Sequence, residues 1–255
     1  MFLLIIGVYH GYDINPQVWL WTGLASWISS TAMLFYLVAM SKAEASYVLG
    51  ITASYPIFVQ FFAHIFLGEA LVNERLFGSI LVVAGITLIG SSKQAHHPDM
   101  ADKSDSQKRK HKIEVLTLCA LATIFWGLTG LFDKKAVMVD LPFKIYYARC
   151  VWDALICLVM YLCYRAINHK VNFKSKRAWK YSILSSACLS IGTISYLFAI
   201  TLASVSYVIV VTGCYPLFMY LFAVIFLKER LSKLRMAGML LVVIGGLMVQ
   251  NTSAM

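Results

Sequence analysis

"ITASYPIFVQFFAHIFLGEALVNERLFGSILVVAGITLIG", residues 51–90, returns as "VTGCYPLFMYLFAVIFLKERLSKLRMAGMLLVVIGGLMVQ" at 211–250, a constant 160 positions later. The alignment needs no gap and reaches back to about residue 20. Between 46 and 90, 20 of the 45 positions are identical, about four times what a biased apolar composition gives by itself. The matches are not confined to apolar residues: Tyr36 pairs with Tyr196, Tyr47 with Tyr207, Tyr55 with Tyr215, Pro56 with Pro216, Glu69 with Glu229, Arg75 with Arg235, Gly78 with Gly238 and Gly85 with Gly245. A structural unit is duplicated within one chain.

Composition says where that unit sits. Of the 255 residues, 60% are apolar and 13% charged, too greasy for a water-soluble globule. A bilayer needs about 20 mostly apolar residues per helix. Seven stretches meet that requirement, at 17–40, 46–67, 75–91, 114–132, 144–164, 181–200 and 205–227, and an eighth, 236–250, is shorter. The reading is an all-α polytopic membrane protein with about eight transmembrane helices. Residues 1–9, MFLLIIGVY, are too short to span and lack a signal peptide's basic segment and cleavage site; they read as the end of a further helix. Residues 93–112 are rich in Ser, Asp and Lys and read as a polar linker between a first repeat, 1–92, and a second, 113–250.

Parity then fixes the relation between the repeats. From the span at 46–67 to its copy at 205–227 the chain crosses the membrane five times. An odd number of crossings inverts the copy, so the halves are inverted-topology repeats about an axis in the membrane plane, the architecture behind alternating access.

The net charge of +10 resides mainly in loops, where orientation signals and anionic lipid account for it and nucleic acid is not called for. Lys and Arg number 17 on the linker side and four on the other, which places the linker in the cytoplasm. The six cysteines show no C-x-x-C pair, and His96–His97 have no partner cluster, so no metal site and no cofactor are expected. No nucleophile–base pair or catalytic carboxylate pair lies in the spans, so the chain does not read as an enzyme. No G-x-x-x-x-G-K-[ST] signature for ATP occurs either.

The candidates for a solute cavity are Tyr36, Tyr55, Pro56, Trp126, Arg149, Tyr196, Tyr215 and Pro216. Each proline follows a tyrosine in mid-span, where it should kink its helix toward protein or a water-filled space. Arg149 and Asp153 are four apart, on one helical face, and should pair. His64, one turn after Gln60, and Asp153 are candidate coupling or gating groups. Glu69 and Glu229 end their apolar runs and should cap the first turn of the next helix. The glycines seven apart, Gly78/Gly85 and Gly238/Gly245, should allow close helix contact.

The Pro motif, FLGE or FLKE, and the glycine-bearing helix that follows, together with IFWGLTGLFDKKA at 124–136 and Arg149, resemble the drug/metabolite transporter superfamily, and its EamA-like branch in particular. The resemblance implies ten helices in two five-helix repeats, a central cavity and transport of small organic metabolites, often export. Against that pattern the first half supplies three helices and the tail of another, and the second all five, so by this resemblance the first helix and part of the second are expected to be absent. It also implies a cytoplasmic C-terminus, opposite to the charge count. The expectation is a secondary transporter, multi-pass in the cell membrane, whose partners are a small-molecule substrate and membrane lipid. A non-transporting membrane scaffold derived from such a protein is the alternative.

Overall fold

The computed structural model describes residues 13–43, 48, 51–90, 105–166, 176–215, 218, 225 and 233–250. Pro216, Glu229 and the His96–His97 pair lie outside them. Eight helices are described: α1 (Pro16–Lys42), α2 (Tyr55–Leu67), α3 (Asn73–Gly90), α4 (Asp105–Val137), α5 (Pro142–Ala166), α6 (Lys176–Leu202), α7 (Val205–Thr212) and α8 (Lys233–Gln250). Four segments, Pro16–Lys42, Arg109–Val137, Pro142–Cys163 and Trp179–Leu202, are long and apolar enough to cross a membrane, and Tyr55–Leu67 and Met236–Val249 are shorter apolar helices. Two compact units make up the chain, residues 1–30 with 132–202 and residues 31–131 with 203–255, so their boundaries fall inside α1 and α4.

In the unit formed by 31–131 and 203–255, α3 packs on α8. The buried stripe of α3 runs through Arg75, Gly78, Ser79, Val82, Gly85 and Ile86, and that of α8 through Gly238, Val242, Gly245 and Val249, the spacing of one helical face. A Cβ on Gly78 would come within 2.7 Å of the Gly245 carbonyl oxygen, and one on Gly85 within 2.5 Å of that of Gly238. The backbones touch because neither side chain exists. The pairing is also reciprocal: α3 and α8 are copies, Gly78 meets the copy of Gly85, and Gly85 meets the copy of Gly78. That pattern is the signature of a twofold contact, and it makes the two copies antiparallel, as inverted repeats require. Ala53, Val82, Ile86 and Val242 close the core beside this seam, with Cys214 against them.

The proline does more than kink. The expected continuous span 46–67 is interrupted by a turn at Ala53–Ser54, and α2 starts afresh at Tyr55 with Pro56 in its first turn. There the missing N–H belongs to a group that has no intrahelical partner anyway. Ser54 bridges the break, its N–H and hydroxyl both donating to the Ile51 carbonyl at 3.1 and 2.7 Å. In the copy, α7 stops at Thr212 and Gly213 follows. The two breaks meet, for the position of a Gly213 Cβ is 3.3 Å from Pro56 Cγ.

Glu69 departs from expectation in its target. It lies beyond the left-handed Gly68 (φ 68°) that ends α2, yet it caps α7 rather than the neighbouring α3. Its carboxylate accepts from the N–H of Val205 at 2.9 Å, the N–H of Ser206 at 3.2 Å and the Ser206 hydroxyl. Ser204, the N-cap residue of α7, makes no side-chain cap of its own; its hydroxyl instead accepts from Arg75 at 3.0 Å, and Ser206 accepts from the same nitrogen at 2.7 Å. Arg75, 1% exposed, also sits 5.7 Å from the Tyr207 ring. The carboxylate thus meets the positive end of α7, and a buried guanidinium gains the partners that burial demands. One turn inward, Gln60 donates to Ser79 at 2.9 Å, both buried.

In the other unit, α5 packs on α6 and against the first half of α1. The Trp152 indole N–H donates to the Trp19 carbonyl at 3.0 Å, and the same ring lies 2.9 Å from where a Gly23 Cβ would stand. Trp21 stacks on Phe132 at 6.0 Å, with the Lys135 ammonium 4.7 Å from the Trp21 ring. The outer residues of α5, Leu155, Leu158, Val159 and Leu162, are exposed, the face a lipid-embedded helix turns to hydrocarbon.

The seam yields the first prediction. Gly85→Leu and its copy Gly245→Leu should each lower stability by about 1–3 kcal/mol through overpacking, and by equal amounts. Gly192→Leu, at a position with nothing within 4 Å of its Cβ, should not. Thermal unfolding in detergent reads all three.

Candidate functional site

The candidate residues fall into an aromatic group and a charged group, one in each unit. The aromatic group surrounds the interrupted helices. Trp126, from α4, has its ring centre 5.2 Å from that of Tyr36 on α1 and 6.3 Å from that of Tyr55 at the start of α2. The Tyr55 hydroxyl is within electrostatic reach of Tyr215 and Thr212, and Tyr215 of Tyr36. Next to Trp126, Gly127 lets α2 approach: a Cβ there would lie 3.0 Å from Phe58 and 3.2 Å from Phe62. Tyr36, Tyr55 and Trp126 are half-buried and Tyr215 is 42% exposed. Four of the eight cavity candidates therefore converge on the Pro56–Gly213 break, a fifth candidate being Pro56 itself.

This arrangement has a definite chemical character. A helix break inside a membrane is tolerated where its backbone groups re-pair locally, line a cavity or are buried in protein, and here Ser54, Ile57, Gly213 and Cys214 each donate to a nearby carbonyl. Aromatic faces beside them offer apolar contact, and the tyrosine hydroxyls add donors and acceptors. An amphipathic organic molecule matches both.

The charged group lies in the other unit and corrects the expected pairing. Arg149 forms its ion pair with Asp133 near the end of α4, not with Asp153. Asp133 is 2% exposed and Arg149 13%, whereas Asp153, one turn further along α5, is half-buried and adds its field to that of Arg149, as does Tyr196. The helical i, i+4 relation between Arg149 and Asp153 was the visible signal, but a partner from another helix takes the guanidinium. Asp133 stands in plain sight in the IFWGLTGLFDKKA stretch and carried no signal of its own, since its partner is 16 residues away. Its neighbour Lys134 donates to the Ile200 carbonyl, tying the end of α4 to the end of α6.

His64 occupies a different place from either group. Its Nδ1 lies 2.9 Å from the Glu69 carbonyl oxygen, so the ring donates there and closes the end of α2. Gln60, one turn earlier on the same helix, is turned inward to Ser79. Among the described residues no group of three or more His, Cys, Asp or Glu side chains is arranged to hold a metal.

Removing one member of a buried ion pair strands the other. Asp133→Leu or Arg149→Leu alone should lower stability by about 3–5 kcal/mol, and the double substitution should recover most of that loss. A double-mutant cycle by detergent unfolding measures it, and additive losses would contradict the pairing.

Comparison with known proteins accords with this architecture. A solved crystal structure superposes with a TM-score of 0.71 over 96% of this chain and 81% of its own, at 14% identity, which shows a shared fold. An uncharacterized protein of Methanocaldococcus jannaschii is 25% identical over 130 residues, 51% of this chain and 91% of that protein. The model of the EamA-like transporter family matches residues 1–91 and again 114–250. The chain belongs to the EamA-like transporter family, within the drug/metabolite transporters, and is an integral membrane protein.

Proposed function

We propose that this membrane transporter is a secondary transporter of a small organic metabolite, an amino acid or related amphipathic compound, moved outward across the cell membrane by alternating access between its inverted repeats. The observation that carries this reading is the meeting of two interrupted helices at Pro56 and Gly213, ringed by Tyr36, Tyr55, Trp126 and Tyr215. Half-helix ends give polar backbone, the rings give apolar surface, and a metabolite with an apolar body and a polar head uses both. With no ATP-binding signature in the sequence, the driving force is a gradient of solute or ion. The buried Arg149–Asp133 pair, with Asp153 beside it, suits a gate: an intramembrane charge cluster is costly and is retained where it faces a pathway or a partner.

Proteoliposomes loaded with amino acids and related amphipathic metabolites test the proposal. Flux of at least one of them, saturable and dissipating with its gradient, is expected. Trp126→Ala should abolish that flux while the protein still elutes as a monodisperse species. Flux in no direction for any solute, or flux indifferent to loss of Trp126, would overturn it.

A further inference from the structure

The charged group around Arg149 holds one carboxylate more than it can pair. Arg149 is taken by Asp133 and Lys144 by Asp140. Lys134 donates to the Ile200 carbonyl, and the Lys135 ammonium lies against the Trp21 ring. Asp153 enters no ion pair or hydrogen bond among the described residues, although it is within electrostatic reach of both members of the Arg149–Asp133 pair. Nor does it face lipid. Tyr146, Arg149, Asp153 and Ile156 follow the spacing of one helical face; Tyr146 and Ile156 are buried there, and the exposed Leu155, Leu158 and Leu162 lie on the other side. Asp153 comes eleven residues after Pro142 in the 25 of α5, near the middle of the span. A carboxylate at that depth without a counter-charge is costly, and marks a place that receives a cation.

A second unsatisfied group lies at the same depth on the neighbouring helix. Trp152, the residue before Asp153, rests its ring against Gly23 and donates to the Trp19 carbonyl, so α1 turns the face of Trp19, Gly23 and Ser26 to α5. The chain reverses four times between α1 and α5. The two helices therefore run in the same direction, and Ser26, ten residues after Pro16, matches Asp153 in depth. Ser26 is 0% exposed and its hydroxyl has no hydrogen-bond partner. Thr22, one turn earlier, satisfies its own by donating to the Val18 carbonyl at 2.6 Å. Buried polar groups are almost always paired, so an orphan beside an uncompensated carboxylate calls for a partner that the chain does not supply.

We infer that Asp153 and Ser26 form a site between α1 and α5 for the ammonium group of a primary amine or amino acid. An ammonium brings a positive charge and three N–H donors. The carboxylate supplies the opposite charge and two acceptors, and the Ser26 hydroxyl a third. The Trp152 ring adds apolar surface for the carbon body of the amine. A solute whose only charge is a carboxylate finds no free cation in this group, because Arg149 is already paired with Asp133. The inference rests on the transport reading and narrows its solute to one that carries an ammonium group.

Matched ligands read the site without knowledge of the natural solute. 2-Phenylethylamine, 2-phenylethanol and phenylacetate share one skeleton, as do hexylamine, hexanol and hexanoate; each is titrated against the purified protein in detergent, with thermal unfolding as the readout. At least one amine should raise the unfolding temperature saturably while its alcohol and its carboxylate do not. Asp153→Asn keeps the shape and removes the charge, and should weaken that amine by about tenfold or more, the loss of a hydrogen bond to a charged group. Ser26→Ala deletes a hydroxyl that no protein group uses. It should leave the unfolding temperature without ligand undiminished and still weaken the amine several-fold, a result that a purely structural serine does not give. Monodisperse elution checks that each variant is folded, and Ser26→Ala carries the test alone if Asp153→Asn does not fold. Neither amine preferred over its alcohol, or a preference unchanged by the substitutions, would overturn the inference. Charge-selective binding lost in Asp153→Asn, in a protein that moves no solute in proteoliposomes, would uphold the site and sink the transport reading alone.

Discussion

The contact on which the rest depends is the backbone-to-backbone crossing of α3 and α8. Lipid gives helices no hydrophobic reason to associate, so adhesion comes from van der Waals packing at short range. Glycine permits that range: with Cβ positions 2.5–2.7 Å from opposing carbonyl oxygens, any side chain would force the helices apart. The same crossing sets the symmetry. Because Gly78 meets Gly245 and Gly85 meets Gly238, the two helix copies must run antiparallel.

Around that seam the structure places its polar groups where backbone geometry leaves gaps. At the breaks, Ala53–Ser54 and Gly213, the backbone re-pairs locally, Ser54 with the Ile51 carbonyl and Gly213 with that of Ile209, and the aromatic group of Tyr36, Tyr55, Trp126 and Tyr215 gathers there. The start of α7 has no cap of its own, and Glu69 supplies one from another part of the chain, backed by a buried Arg75. The Glu69 and Arg75 contacts join segments 129 to 136 residues apart in sequence.

Much of this was legible from the chain. The repeat and its inversion needed only an alignment and a count of crossings, and the glycine seam followed from spacing. The tyrosine candidates came from asking which polar-tipped residues recur at both copies, and Trp126 from the family resemblance of its stretch. What was not legible involved choices between partners. A helix offers Arg149 a carboxylate four residues away at Asp153, and nothing local announces that Asp133 from α4 outbids it. Glu69 satisfies the rule that a carboxylate prefers a helix N-terminus, but the rule does not say which helix, and α3 was nearer in sequence than α7. At Tyr55–Pro56 local chemistry permits either a kink or a fresh start. The break wins because Ser54 re-satisfies the Ile51 carbonyl and Pro56 falls where its missing N–H costs nothing.

Inversion of the repeats is the claim to test directly. Asn73 and Lys233 are counterparts at the starts of α3 and α8. In sealed, uniformly oriented vesicles of protein without its native cysteines, Asn73→Cys and Lys233→Cys are each exposed to an impermeant thiol reagent. The account predicts that one labels from outside and the other only after permeabilisation; labelling of both from the same side would contradict it.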